Sequence, residues 1–428
     1  MTVTLSATLA TNEDIERRRR AGERVLHLAF GEAGLPVHPA LRDKLAAASE
    51  RNGYGPVAGA PGLRAAAAGY WTRRGLVTDP ELVVCGPGSK SLLYGLILAI
   101  GGDIVLPMPS WVSYAAQAEL VGSRPILVPA PPGEGGVPDP DLVAAEVRLA
   151  RAQGRTVNSV LVTLPDNPTG RLASPESITR LVEVARELDL TIISDEIYRD
   201  LLHDPALPYV SPADLAPERT VITTGLSKNL ALGGWRIGVA RLPTGAQALR
   251  RQLLAVASEI WSAPAAPMQE AAAYAFSEPP ELTERIALSR RLHGTVARAV
   301  WERFTEVGAR VPVPQGGFYL YPDLSHLRLG GSAEITKILL EEHGIGVLPG
   351  HAFGDDPAVA RVRVAVSLLY GETPEERITA LTSTDPLQLP WIADNLDFLS
   401  MGLKELSLVR HGPVRERHPA LVPTPCHG

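Results

Sequence analysis

The stretch Thr223-Thr224-Gly225-Leu226-Ser227-Lys228-Asn229-Leu230-Ala231-Leu232-Gly233-Gly234-Trp235-Arg236-Ile237-Gly238 decides how the rest of the chain is read. Residues Thr220 to Thr224 are rich in β-branched side chains, which predicts a short strand ending just before a Ser-Lys pair. A glycine-rich turn carrying Trp235 and Arg236 follows. Lysine is the side chain whose amine forms Schiff bases with carbonyl compounds. The chain has only five lysines: Lys44, Lys90, Lys228, Lys337 and Lys404. Lys44, Lys337 and Lys404 sit in amphipathic, charge-studded segments, as solvated lysines do. Lys228 instead sits between a strand end and a glycine turn, where a plain surface role is the weaker reading.

Working outward, apolar strand candidates alternate with helices from about residue 46 to about 280: Leu82–Cys85, Asp103–Leu106, Arg124–Val128, Ser159–Leu164, Thr191–Ser194, Thr220–Thr224 and Ile237–Arg241. That alternation predicts an α/β domain with a mainly parallel sheet. In open α/β sheets ligands sit at the carboxyl ends of the strands, and several polar residues fall there. Asp195 ends one strand; it is either a helix cap or a carboxylate for a protonated ring nitrogen. Asn167 lies in Leu164-Pro165-Asp166-Asn167-Pro168-Thr169-Gly170, which also reads as a plain turn. Gly86-Pro87-Gly88-Ser89-Lys90-Ser91 joins a strand to an apolar helix, whose free N–H groups suit a phosphate. Arg236 offers a fork that pairs with phosphate at two points. Trp111, in a proline-bearing loop, is a stacking platform or a core residue. Arg361 and Arg363 share one strand, and either could grip a carboxylate.

These segments together resemble the class I/II aminotransferases, which have the aspartate aminotransferase fold, fold type I of the pyridoxal 5'-phosphate (PLP) enzymes. The resemblance runs in order from about Leu28 to about Ser367. Ser227-Lys228 with Gly234-Trp235-Arg236-Ile237-Gly238 is similar to the family's internal-aldimine motif, which implies that Lys228 holds PLP and acts as the catalytic base. Asp195-Glu196-Ile197-Tyr198 resembles "D-E-x-Y", implying that Asp195 pairs with the ring nitrogen and Tyr198 with the ring hydroxyl oxygen. Asn167 in "N-P-T-G" is implied to donate to the same oxygen. Gly88, Ser89, Lys90, Ser227 and Arg236 are implied as the phosphate cup, and Trp111 as the ring's stacking partner. Arg363, favoured over Arg361, is implied to bind the substrate carboxylate, with Gly31 in Leu28-Ala29-Phe30-Gly31-Glu32, which resembles the family loop that reaches over the substrate. Tyr54, in Gly53-Tyr54-Gly55-Pro56, is implied to reach the phosphate of a neighbouring subunit, which makes a homodimer with shared active sites. Ala33, Asp166 and Ala365 depart from the family's usual residues.

The resemblance implies a large domain with a central sheet and a smaller α+β domain formed by N- and C-terminal segments. The expected boundaries are an arm at 1–45, the large domain at 46–280, the small domain at 281–381 and an extension at 382–428. Within the arm, Asn12-Glu13-Asp14 is expected to start a polar helix. In the extension, Pro390 to Leu408 reads as one more helix and the last twenty residues as disordered. His411, His418, Cys426 and His427 are read as part of that tail, and no metal site is expected.

Composition narrows the alternatives. The formal net charge of −6 carries no basic excess for nucleic acid. The apolar run Leu92 to Ile100 is far shorter than the roughly 20 residues a bilayer span needs. Two cysteines, Cys85 and Cys426, build no disulfide framework, and a cytoplasmic protein without a membrane partner is expected. Arg17-Arg18-Arg19-Arg20 is read as a solvated helix face. A regulator that uses this fold without catalysis would need a DNA-binding segment, and only about 25 polar residues precede the first strand. The motifs imply PLP binding and removal of a Cα proton from an amino acid, but the outcome stays open. The expectation is transamination with a 2-oxo acid. The alternative is elimination, replacement, annulation or oxidation on the same fold. The side chain of the substrate is not legible, although Glu32, Asp166 and His351 are candidates to meet it.

Overall fold

A computed structural model describes residues 6–408 of the chain. Its centre is a seven-stranded sheet in the order Val83–Pro87, Ile237–Arg241, Thr220–Gly225, Thr191–Asp195, Val157–Thr163, Asp103–Met108, Ile126–Pro129. Ile237–Arg241 runs antiparallel to both its neighbours, and the remaining pairs are parallel. The central strands are apolar on both faces because helices cover both. Ile192 faces one core and Ile193 the other, and so do Val160 and Leu161. Each such side chain, fully buried, stabilises the fold by roughly 1.5–3 kcal/mol.

Register brings the chemistry-bearing ends together. Thr163 pairs with Asp195, and Asp195 with Thr223. The strand that precedes Lys228 therefore ends beside the one that ends in Asp195. On the other side Gly225 and Gly86 both pair with Gly238. A Cβ on Gly238 would overlap the backbone of Gly88 and Ser89, so glycine there lets the two loops meet.

The smaller domain shares one core from distant parts of the chain. Leu26, Leu28 and Leu35 join Val296 and Val300 of the long helix Pro280–Glu306, Leu320, Val364, and Ile392 and Leu399 of the last helix. Pro390–Leu408 is helical as expected and buries Ile392, Leu396, Leu399, Leu403 and Leu406. The N-terminal helix runs Ala7–Arg20 rather than starting at Asn12. Asn12 is drawn inside the helix because its Oδ1 meets His27 Nε2 at 2.8 Å, while Ile15 is buried below. The arginine cluster lies at the end of this helix and pairs with Asp14, Glu16, Glu23 and Glu372. Cys85 is a buried core residue whose thiol burial pushes up to about 12. No described helix is long and apolar enough to cross a membrane, and no described group of histidine, cysteine and carboxylate side chains could hold a metal. The tail from 409 onward, including His411, His418, Cys426 and His427, lies outside the described residues.

Candidate active site

The carboxyl end of the sheet and the small domain enclose a cavity of about 560 Å³. Lys228 enters it from the loop after Thr220–Gly225. Its Nζ donates to the carbonyl oxygen of Gly31 at 2.5 Å. Burial, with the positive charges of Arg363 and Arg236, depresses its pKa to about 8, against smaller opposing effects of Glu32 and Asp195. An amine there is about half neutral near pH 8, where an ordinary lysine is almost wholly charged.

Asp195 is buried at the strand end. Tyr114 donates to its Oδ2 at 2.8 Å and Thr223 to its Oδ1 at 3.2 Å. Desolvation still pushes its pKa up to about 6, because those hydrogen bonds only partly replace water. A buried carboxylate facing a cavity calls for a cationic partner. The helix Ser89–Ile100 opens at the same cavity, with Gly88 before it at φ +86°. A Cβ on Gly88 would overlap the Arg236 guanidinium, so glycine leaves room for that side chain beside the helix terminus. Arg236 itself is left-handed at φ +55° and donates to Gly233 O at 2.8 Å. Ser227 and Ser89 line the same end, and Lys90 Nζ stands 4.9 Å from the Trp111 ring centre. Trp111 in turn meets the Tyr114 ring edge-on at 5.2 Å.

Arg363 comes from the opposite wall. It is 1% exposed, lies near the rings of Tyr319 and Phe353, and donates to Ala29 O. Its Nη1 is 3.5 Å from Asn167 Oδ1, and its Nε has no partner. An unpaired N–H on a buried guanidinium is an unused donor at the cavity wall. Arg361, the rival, points elsewhere and pairs with Asp355 and Asp323. Arg363→Lys is therefore expected to raise KM for the amino acid by about 10²-fold, the scale of a lost bidentate carboxylate contact. Arg361→Met should leave KM alone and lower Tm. Steady-state kinetics and a thermal melt on the two variants check both.

The cavity gathers Gly31, Ser89, Lys90, Trp111, Asn167, Asp195, Tyr198, Ser227, Lys228, Arg236 and Arg363. Tyr54 is not among them: it is 97% exposed on this chain. His351 is turned away and meets Ser332 at 2.8 Å. Asp166 is buried beneath the site, where its Oδ2 takes the Thr169 N–H and hydroxyl. It shapes the turn holding Asn167, and burial pushes its pKa up to about 7. Three contributors have no role in the sequence reading: Tyr114, Thr223 and Tyr319, whose hydroxyl meets that of Tyr198 at 2.8 Å. Tyr114 was visible three residues after Trp111, on the first turn of a helix. The partner of Tyr319 could come only from the fold.

A mixed sheet with a lysine amine at its carboxyl end, faced by a small-domain arginine, defines an enzyme of fold type I. The chain belongs to the family "Aminotransferase class I and II", whose description matches residues 25–376. It is 32% identical to an aspartate aminotransferase of Geobacillus stearothermophilus, over 88% of this chain and 96% of that protein. It is 31% identical to the aspartate/prephenate aminotransferase of Thermus thermophilus, over 81% and 89%. The solved aspartate aminotransferase of Thermus thermophilus with maleate superposes at a TM-score of 0.79 and 28% identity, covering 93% of this chain and 97% of that one.

Proposed function

We propose that this chain transfers an amino group between an α-amino acid and a 2-oxo acid, using PLP held on Lys228. The observation that carries this is one cavity holding a depressed lysine amine, a buried carboxylate short of a cation, a helix N-terminus with an arginine beside it, and a buried guanidinium with one unpaired N–H. PLP fits that set: its ring nitrogen is a cation for Asp195, its aldehyde suits Lys228, and its phosphate suits Gly88, Ser89, Ser227 and Arg236. When bound, the cofactor supplies an electron sink for charge developing at the substrate Cα. Asp195, held by Tyr114 and Thr223, keeps the proton on the ring nitrogen. Asn167 and Tyr198 would bond the ring hydroxyl oxygen, and Trp111 would cover the ring face. Arg363 grips the substrate carboxylate. Lys228 Nζ, released when the substrate amine takes its place, would take the Cα proton as a general base. Gly31 and its neighbours limit water above the amine.

Aspartate is the first substrate to test, because relatives of this chain bear that name. The test is a scan of amino acids with 2-oxo acid release as the readout. Turnover of aspartate supports the reading, and loss of substrate without a 2-oxo acid goes against it.

The active unit is a homodimer, with Tyr54 of each chain meeting the other's phosphate. A 97% exposed tyrosine without such a role would be neutral to remove. Tyr54→Phe is expected to weaken PLP binding about tenfold or more, the scale of one hydrogen bond to a charged group, with Tm of the cofactor-free protein unchanged. Sedimentation and a PLP titration of the variant measure both.

A further inference from the structure

A second cavity, of about 280 Å³, lies between the N-terminal helix, the segment 25–32, the segment 368–377 and the last helix. It shares Phe30 and Glu32 with the catalytic cavity. Its size is at the small end of ligand sites, which run ~300–1,000 Å³, so a small metabolite is the size that fits.

The lining has unspent polar groups of both signs. Arg377 donates its Nε to Gly371 O at 2.8 Å, and its two terminal nitrogens make no hydrogen bond or ion pair among the described residues. Asn395 makes none, and Asn12 uses only its oxygen, toward His27. The Glu32 carboxylate makes no hydrogen bond or ion pair among the described residues, and only its backbone oxygen is taken, by Ser367. Glu16 is held loosely, 3.7 Å from Arg19, which already serves Glu372. A guanidinium with two unpaired nitrogens, lining the same small cavity as the Glu32 carboxylate, matches a zwitterion. Arg377 and Asn395 both lie beyond residue 376, where the family match ends. The site is therefore assembled partly from sequence outside the common family pattern.

We propose that this cavity binds a free α-amino acid as an effector, its carboxylate on Arg377 and its ammonium on Glu32 and Glu16. The link to catalysis is the shared loop. Gly31, between Phe30 and Glu32, gives its carbonyl to Lys228. An occupant that fixes Glu32 fixes that carbonyl too, and so changes the position and proton affinity of the amine. A ligand that favours one placement of the loop shifts the population toward it, and the coupling is reciprocal.

The test is a calorimetric titration of the borohydride-reduced holoenzyme, in which Lys228 is capped and turnover cannot occur. L-Alanine, L-glutamate, L-lysine and L-phenylalanine are the ligands used. The expected result is saturable binding of at least one of them at one per chain. Arg377→Met and Asn395→Leu should each weaken it about tenfold or more, and Arg363→Lys should leave it unchanged. Asn395 bears no hydrogen bond, so its substitution tests the site without removing a structural contact. Failure of all four to bind at millimolar concentration overturns the proposal. So does binding that survives Arg377→Met and Asn395→Leu, or that is lost with Arg363→Lys, which would place the amino acid in the catalytic cavity.

Discussion

Lys228→Ala is expected to lower kcat by ~10⁴-fold or more, because one amine serves both as cofactor anchor and as general base, and a base alone contributes about 10²–10⁴-fold. Residual PLP binding through the phosphate end should persist. The same substitution should stabilise the cofactor-free protein at neutral pH. The folded pKa of about 8 lies below the ordinary lysine value of 10.5, so between those values the unfolded chain binds more protons. Stability then rises with pH from about 8 to 10.5, and the cost of charging the buried amine is present in full below 8. Removing the amine removes that cost, so Tm of Lys228→Ala should exceed that of wild type at pH 7 and the difference should close above pH 10. Thermal melts across that range measure it. In the cofactor-free wild type, the rate at which PLP attaches should rise about tenfold per pH unit up to about 8 and then level, as only the neutral amine is nucleophilic.

Asp195→Asn ranks second, with an expected loss of about 10²–10³-fold in kcat, the scale of removing one preorganised electrostatic contact. An amide in the same place keeps the shape and cannot hold a proton on the ring nitrogen. Its effect on stability follows the opposite window. The folded pKa of about 6 lies above the ordinary 3.8, so the folded state binds more protons between them, and stability of the cofactor-free protein falls as pH rises from about 4 to 6. Asp195→Asn should flatten that fall. Lys228 and Asp195 are thus both charges that burial disfavours and that a bound cofactor would accommodate. A wild-type gain in Tm on adding PLP, much reduced in either variant, is the joint expectation.

Much of this site was legible because strand ends are local features. Asp195, Lys228 and the Gly88-Ser89 turn each close an apolar run, and the alternation of runs and helices places such ends on one edge of a sheet. The rest depended on contacts that no local pattern contains. Tyr114 reaches Asp195 only because Thr163, Asp195 and Thr223 stand in register. Arg363 was favoured over Arg361 by the resemblance, while the pairing of Arg361 with Asp355 and Asp323 is visible only in the fold. The N-terminal helix began five residues before Asn12 because burial of Ile15 and the bond to His27 outweigh the capping tendency of an asparagine. His351, a candidate to meet the substrate side chain, bonds Ser332 instead, a contact made by the fold.

The most direct measurement is an absorption spectrum of the purified protein with PLP, before and after borohydride, followed by peptide mapping of the reduced product. The account predicts a Schiff-base band that borohydride abolishes, a pyridoxyl group mapped to Lys228, and no such band in Lys228→Ala. A protein that takes up no PLP, or a pyridoxyl group mapped to Lys90 instead, would contradict it.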